Sequence, residues 1–111
     1  MPHIVVEYSL NAVAENDVPK LLQQLHANLA AEESVDITRI KTRAIPVKNV
    51  VVAGEGSAGS MVHVTLKVMP RPVDVAKRMA VNLQNIVRSM VSEKCKVTAE
   101  IVELNPDTYC A

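Results

Sequence analysis

The chain has 111 residues, the size of a single domain, and its 49% hydrophobic and 22% charged residues are typical of a globular protein. Twelve basic and twelve acidic residues balance to a net charge of zero, and no basic run is present, which argues against a nucleic-acid partner. No uncharged stretch is long enough for a membrane span, and no secretion signal is expected. The two cysteines, Cys95 and Cys110, are therefore expected to be free thiols in a cytoplasmic protein.

The first half of the chain predicts a strand, a helix and a second strand. Residues 3–8 form a short β-branched run that is typical of a strand. Asp17 is a candidate helix cap and Pro19 falls in the first turn, after which apolar residues recur at helical spacing. Residues 38–47 alternate in the manner of a strand, and Pro46 indicates that this strand ends at a sheet edge or bend.

The second half repeats this plan. Residues 61–69 predict a strand, Pro72 opens a long amphipathic helix, and residues 96–103 alternate as a strand. The opening strands of the two halves also begin alike, at His3 and at His63. These similarities indicate one domain over the whole chain with an internal duplication, its pseudo-repeats covering roughly residues 1–55 and 60–111.

We therefore expect an α+β fold in which two tandem β-α-β units form a four-stranded mixed sheet with both helices on one face. Each crossover helix should join parallel strands in the right-handed sense. The opposite sheet face is expected to carry apolar side chains that nothing in the chain covers. Because the sequence also lacks Phe and Trp, its core depends on smaller aliphatic side chains, and both features favour oligomerisation.

Two patterns that resemble cofactor or metal sites are better explained otherwise. Gly54, Gly56 and Gly59 spell G-x-G-x-x-G after a strand-like run. A dinucleotide site needs a helix after the glycines, whereas the next predicted element is a strand, so a Gly/Ser-rich hairpin loop is favoured. The three histidines lack a ligand-like spacing and no Cys-x-x-Cys is present. Neither a cofactor nor a metal is therefore expected.

Pro2 is a candidate general base. Removal of Met1 would leave the proline ring nitrogen as a free secondary amine at the start of a predicted strand, and so at a fixed position. Such an amine can accept a proton only if it is uncharged near neutral pH, a state that burial and nearby cations favour. The residues alone leave two interpretations open: a catalytic base, or a Met-Pro terminus without a catalytic role.

Four stretches of the sequence, residues 2–9, 40–43, 62–67 and 100–106, resemble the 5-carboxymethyl-2-hydroxymuconate isomerase family of the tautomerase superfamily. The similarity follows the same order over nearly the whole chain. The resemblance implies two β-α-β units per subunit, assembly as a homotrimer, and an amino-terminal proline that carries the proton.

The resemblance also implies roles for four residues. Pro2 corresponds to the catalytic proline, and Arg71 to an arginine that faces the active site. Arg43 matches a further family arginine, whereas Lys41 stands where the family has an arginine. An ammonium group does not bind both oxygens of a carboxylate as a guanidinium does, so this difference bears on the identity of the substrate. Without the resemblance, Arg43 and Arg71 would be interpreted as solvated surface charge.

The predicted function is the conversion of an unsaturated 2-hydroxy carboxylic acid to its keto isomer, without a cofactor. The expected substrate is a small di- or tricarboxylate from aromatic-ring breakdown, with Pro2 as the base and Arg71, Arg43 and Lys41 as carboxylate-binding residues. Two alternatives stay open. One is a trimeric scaffold of the same fold that binds a small acid or a protein partner without turnover, and the other is a hydratase that uses the same proline.

Overall fold

The structure, a computed structural model, describes residues 2–111 and contains four strands and two α-helices within that range. The strands are β1 (His3–Ser9), β2 (Lys41–Val47), β3 (Met61–Val68) and β4 (Lys96–Glu103), and the helices are α1 (Val18–Ala30) and α2 (Val73–Arg88). The sheet order is β2-β1-β3-β4. Strand β1 is parallel to β2 and antiparallel to β3, and β3 is parallel to β4. The predicted four-stranded mixed sheet is confirmed.

The core lies between one face of this sheet and both helices, as predicted. Alternate residues of the two central strands are buried on that face, and each helix adds three buried side chains. These residues form one continuous cluster, whose main members are Ile4, Val6, Tyr8, Leu21, Leu25, Leu29, Val62, Val64, Leu66, Met79, Leu83 and Val87. Burial of this apolar cluster is the main stabilising term of the fold.

One local prediction in the first half of the chain is confirmed in position, and another is wrong. Asp17 is the N-cap residue of α1 and a proline follows in the first turn, as predicted, but the Asp17 side chain makes no capping hydrogen bond. Strand β2 begins at Lys41 and not at residue 38, because Ile37–Arg39 forms a 3-10 turn. Asp36 accepts a hydrogen bond from the backbone N–H of Thr38 at 3.0 Å, and this bond competes with strand pairing.

The sheet surface away from the helices, which we call the open face, is not the apolar surface that was expected. Strand alternation places the apolar residues on the helix side and leaves mainly polar side chains here. The open face consists of His3, Val5 and Glu7 of β1, Lys41, Arg43 and Ile45 of β2, Met61, His63, Thr65 and Lys67 of β3, and Lys96, Thr98, Glu100 and Val102 of β4. An argument for oligomerisation from an uncovered apolar face therefore fails.

The glycine-rich segment forms a turn between β2 and β3. Val52 pairs with Gly56 in an isolated bridge, and Gly54 and Gly56 adopt positive φ angles of 81° and 61°. A Cβ atom at Gly59 would lie 2.6 Å from the Cβ of Val52, so this position requires glycine. The next element is β3, and the helix that a dinucleotide site requires after the glycines is not formed at this point.

Cys95 is buried and Cys110 is exposed, and both are free, as the sequence predicts. Neither helix within residues 2–111 is long and apolar enough to cross a lipid bilayer.

Candidate active site

A cleft of about 160 Å³ opens where three segments of the chain meet. These are the start of β1, the connection between α1 and β2, and the turn that leads from β3 to α2. The cleft is lined by Pro2, Ser34, Val35, Asp36, Arg39, Val68, Met69 and Arg71. The fold therefore brings together two of the predicted site residues, Pro2 and Arg71, from opposite halves of the chain.

Pro2 is buried, and its backbone is held by the sheet. Its carbonyl oxygen accepts a hydrogen bond from the backbone N–H of Lys41 at 3.0 Å, which extends the pairing of β1 with β2 by one residue. A free amine at this position would have little water around it and arginines in the same cleft, and both conditions favour the neutral amine. This chemistry requires the removal of Met1, a residue that lies outside the described range.

Arg71 is fixed by neutral hydrogen-bond acceptors. Its Nη1 donates to the carbonyl of Met69 at 2.7 Å, Nη2 donates to the carbonyl of Ser34 at 3.0 Å, and Nε donates to the Ser34 hydroxyl at 3.2 Å. A guanidinium group has five N–H donors, so these bonds leave one N–H on each terminal nitrogen. N–H groups of this kind can donate to a carboxylate, which Arg71 can bind while its bonds to Ser34 and Met69 stay in place.

Asp36 and Arg39 line the same cleft, and neither is among the residues predicted from the sequence. Arg39 Nε lies 3.3 Å from Asp36 Oδ2. Hydrogen bonds from the hydroxyl and the backbone N–H of Thr38 lower the pKa of Asp36, and the positive charge of Arg39 lowers it further. The carboxylate of Asp36 is therefore ionised at neutral pH. The sequence signal for this pair is the three-residue spacing of opposite charges. That spacing brings the two side chains together in a helical turn such as Ile37–Arg39, but not in the strand predicted from residue 38.

Lys41 and Arg43 are not among the residues of the cleft. Both side chains are exposed on β2 and belong to the open face. Arg43 Nη1 donates a hydrogen bond to Nδ1 of His3 at 3.1 Å. Because Pro2 directly precedes His3, these two cations lie at the same end of the sheet as the cleft but on its other side. Within one chain, the structure separates them from Pro2 and Arg71.

His3 lies on the open face, in surroundings that disfavour its protonation. Because Arg43 donates to Nδ1, we assign the ring proton to Nε2, which lies 2.8 Å from the Tyr109 hydroxyl. Burial is the main effect that lowers the pKa of His3, and the positive charges of Arg43, Lys41 and Lys67 act in the same direction. The C-terminal segment therefore packs on the open face through Tyr109, which lies next to His3.

The other two histidines bind their own polar neighbours. His26 Nδ1 lies 2.7 Å from the Thr42 hydroxyl on the helix side of the sheet. His63 lies between Thr98 and Glu100, with Nε2 2.8 Å from the glutamate carboxylate. Among residues 2–111, no group of three or more histidine, cysteine or acidic side chains is arranged to hold a metal ion.

Comparison with known proteins gives one family match. The model of the family described as 5-carboxymethyl-2-hydroxymuconate isomerase matches residues 2–108. No curated protein matches the chain.

Solved structures share the fold over nearly the whole chain. A 5-carboxymethyl-2-hydroxymuconate isomerase from Deinococcus radiodurans R1 is 24% identical, with a TM-score of 0.85 over 99% of this chain and 87% of that chain. A 5-carboxymethyl-2-hydroxymuconate delta-isomerase is 18% identical, with a TM-score of 0.77 over 100% of this chain and 87% of that chain. A fused 4-OT wild type symmetric trimer is 13% identical, with a TM-score of 0.79 over 95% and 88% of the two chains.

His3 should make the stability of the protein depend on pH below about 6.5, its ordinary pKa. Because the pKa of His3 is lowered in the folded chain, the unfolded chain takes up the proton first as the pH falls. The contribution of His3 to stability is therefore complete above about pH 6.5 and is lost as the pH falls through the lower, folded value. Urea unfolding at pH 7.5 and 5.5 should show a smaller acid-induced loss of unfolding free energy in His3→Gln than in the wild type.

His26→Gln is the matched control, because it removes a histidine from the helix side of the sheet. If wild type and His3→Gln lose the same unfolding free energy between these two pH values, His3 is not responsible for the pH dependence.

Proposed function

Because the chain belongs to the 5-carboxymethyl-2-hydroxymuconate isomerase family, we propose that it is an isomerase that converts an unsaturated 2-hydroxy carboxylic acid to its keto isomer. The observation that carries this proposal is the cleft shared by Pro2 and Arg71. It combines a buried position for a base with a cation that keeps two N–H groups for a carboxylate. The reaction moves only a proton and needs no cofactor.

In the proposed mechanism the nitrogen of Pro2 removes the proton of the enol hydroxyl and returns it to a carbon of the conjugated chain. The O–H bond breaks, the carbonyl forms, the double bond shifts and a C–H bond forms, so atoms and electrons balance. Arg71 binds the carboxylate next to the enol carbon, which positions the substrate and stabilises the negative charge of the transition state. Val35, Val68 and Met69 provide an apolar surface for the rest of the molecule.

Lys41 and Arg43 are proposed to bind carboxylate as well, as the resemblance implies. Both lie on the open face of an edge strand, so this part of the proposal requires a neighbouring subunit that brings them to a cleft. The family resemblance implies a di- or tricarboxylate from aromatic-ring breakdown as the substrate, whereas the proton transfer itself requires only the carboxylate beside the enol.

We also propose that the chain forms a homotrimer and that it is located in the cytoplasm. Strands β2 and β4 each pair on one side only within the described chain, so each offers backbone groups to another copy. A symmetric trimer is among the solved structures of this fold. The free thiols of Cys95 and Cys110 favour a reducing compartment. Neither a nucleic acid nor a membrane is among the proposed partners.

Activity should follow the fraction of chains from which Met1 has been removed. While Met1 is attached, the nitrogen of Pro2 is part of an amide and has no basic lone pair. Intact mass gives the trimmed fraction, and the loss of dienol absorbance gives the rate. Pro2→Ala, once trimmed, should keep some activity with a shifted pH profile, because its primary amine ionises differently from the secondary amine of proline.

Equal turnover by fully Met1-capped and trimmed protein would show that Pro2 is not the base. Analysis of the product separates isomerisation from the addition of water. Trimmed protein that binds a dienol acid without converting it would instead favour the scaffold.

Arg71→Ala should lower kcat/KM for a dienol acid by about ten- to hundred-fold, since it removes a charge-assisted contact worth roughly 1.5–3 kcal/mol. The change also removes the anchoring bonds to Ser34 and Met69, so thermal unfolding is measured in parallel. Arg88→Ala is the matched control, because Arg88 likewise donates to two backbone carbonyls but lies outside the cleft. It should lose stability and keep activity.

Arg43→Ala should have a smaller effect on kcat/KM than Arg71→Ala, because Lys41 is expected to supply the main contact on that side. An unchanged rate in Arg71→Ala would reassign Arg71 to a purely structural role.

Sedimentation at micromolar concentration should give a mass three times that of one chain. The expected reason is association through the two edge strands, which a closed ring removes from solvent. A stable monomer under these conditions would contradict the trimer, together with the role proposed for Lys41 and Arg43.

A further inference from the structure

Ser34 lies in the lining of the cleft, beside Arg71. Arg71 Nε donates to the Ser34 hydroxyl at 3.2 Å, and Nη2 donates to the Ser34 carbonyl at 3.0 Å. Because the Nε–H of a guanidinium can only donate, the hydroxyl oxygen is the acceptor in the first of these bonds. The O–H of Ser34 is therefore not used by Arg71, and it has no acceptor within residues 2–111. It remains available to a molecule in the cleft.

The residues around Ser34 fix its position, although the serine itself is exposed. Val35 is buried in the core, and its backbone N–H donates to the carbonyl of Glu32 at 3.1 Å. The carboxylate of Glu32 in turn accepts two hydrogen bonds from Arg78 of α2, at 2.5 and 3.2 Å. The segment that carries Ser34 is thus tied to the core and to α2. The hydroxyl is a preorganised donor, since no rearrangement of this segment is needed for it to meet a ligand.

The structure of a 2-hydroxy carboxylic acid places a second polar group next to its carboxylate. The carboxylate carbon is bonded directly to carbon 2, which carries the enol oxygen, here called the 2-oxygen. When Arg71 binds the carboxylate, the 2-oxygen lies beside the same guanidinium group that Ser34 contacts. Removal of the enol proton by Pro2 develops negative charge on the 2-oxygen. A hydrogen bond to this atom strengthens as the charge develops, so it stabilises the transition state more than the bound substrate.

The other side chains of the cleft are less suited to the 2-oxygen. Ser34 carries the only hydroxyl in the cleft lining within residues 2–111. Asp36 is ionised, so its side chain accepts hydrogen bonds and does not donate them. Val35, Val68 and Met69 have no N–H or O–H in their side chains. Ser34 is therefore the uncharged donor beside Arg71 once the arginine has bound the carboxylate.

We propose that Ser34 is a substrate-binding residue whose O–H donates to the 2-oxygen and stabilises the charge that develops there. This inference rests on the proposed function and deepens it, because it identifies the oxygen beside the carboxylate as a second group that the cleft recognises. Ser34 keeps its proton throughout, and Pro2 still carries the transferred proton, so the balance of the reaction is unchanged. The further carboxylates of a di- or tricarboxylate are left to Lys41 and Arg43 of a neighbouring subunit.

Ser34→Ala tests the proposal, because it removes the hydroxyl and keeps the carbonyl that accepts from Arg71 Nη2. The ligands are 2-oxohexanedioate and hexanedioate, which differ only in the 2-oxygen, and their binding to trimmed protein is measured by calorimetry. The wild type should bind the 2-oxo diacid about fivefold more tightly, and Ser34→Ala should bind the two diacids equally. If the serine only held Arg71 in place, its loss would weaken both ligands by the same factor and leave their ratio unchanged.

Two further variants complete the test. Ser34→Thr keeps a hydroxyl and should keep the wild-type preference for the 2-oxo diacid. Ser89→Ala is the matched control, because the Ser89 hydroxyl donates to the carbonyl of Ile86 at 2.6 Å outside the cleft. It should leave the preference unchanged.

Turnover gives a second readout. With 2-hydroxyhexa-2,4-dienedioate as the substrate, Ser34→Ala should lower kcat about tenfold and change KM less, since the hydrogen bond is strongest in the transition state. Ser34→Thr and Ser89→Ala should keep a kcat close to that of the wild type.

The possible outcomes separate this inference from the proposed function. A wild type without a preference for the 2-oxo diacid, the same preference in Ser34→Ala, an unchanged kcat in Ser34→Ala, or no binding of either diacid would overturn the inference. Turnover of the dienol acid by the wild type leaves the isomerase in place in each of these cases. If trimmed wild type does not convert the dienol acid, the isomerase fails. Loss of the preference in Ser34→Ala then still supports Ser34 as the contact of the 2-oxygen.

Discussion

The pairing of β1 with β2 on one side and with β3 on the other is the constraint on which the rest of the structure depends. It sets His3 opposite both Lys41 and Lys67, so three basic side chains share one row of the open face. The next residue, Ile4, then points into the core and is fully buried. The same ladder continues to the carbonyl of Pro2. The position proposed for the base is therefore as firmly defined as the core itself.

Arg71 connects the two segments that form the remaining walls of the cleft. It lies three residues after the end of β3, yet it donates twice to Ser34 in the connection between α1 and β2. These segments are far apart in the sequence, and a flexible side chain between them would leave the cleft without a defined shape. Because the acceptors are neutral, the arginine can organise the cleft and still attract an anion. One guanidinium group thus serves both the fold and the proposed chemistry.

The sequence predicts the elements well because strand alternation and helical spacing are local patterns. They locate β1, β3 and β4 and both helices, and they indicate which residues of a strand share a face. The same alternation assigns His3, Glu7 and Arg43 to the open face, so the expectation of an apolar face disagrees with the sequence pattern itself. These local patterns miss a side chain that competes for backbone hydrogen bonds, as Asp36 does where the strand was expected to begin.

The sequence predicts only part of the candidate site, because a resemblance compares single positions and not their arrangement in space. The resemblance selects Pro2, Arg71, Arg43 and Lys41 one position at a time, and it does not indicate on which side of the sheet each residue lies. The structure divides these residues into two groups. It also adds Asp36 and Arg39, whose only sequence signal is the three-residue spacing of opposite charges.

The net charge of zero hides an uneven distribution around Pro2. Arginines lie in the cleft on one side of the sheet, and His3 is surrounded by Arg43, Lys41 and Lys67 on the other. Such a concentration of positive charge favours a neutral amine and attracts anions, and both effects suit the base proposed at Pro2. Asp36 opposes both effects, because it reduces the positive potential of the cleft and occupies one arginine. Its charge would therefore reduce the driving force for keeping the amine neutral.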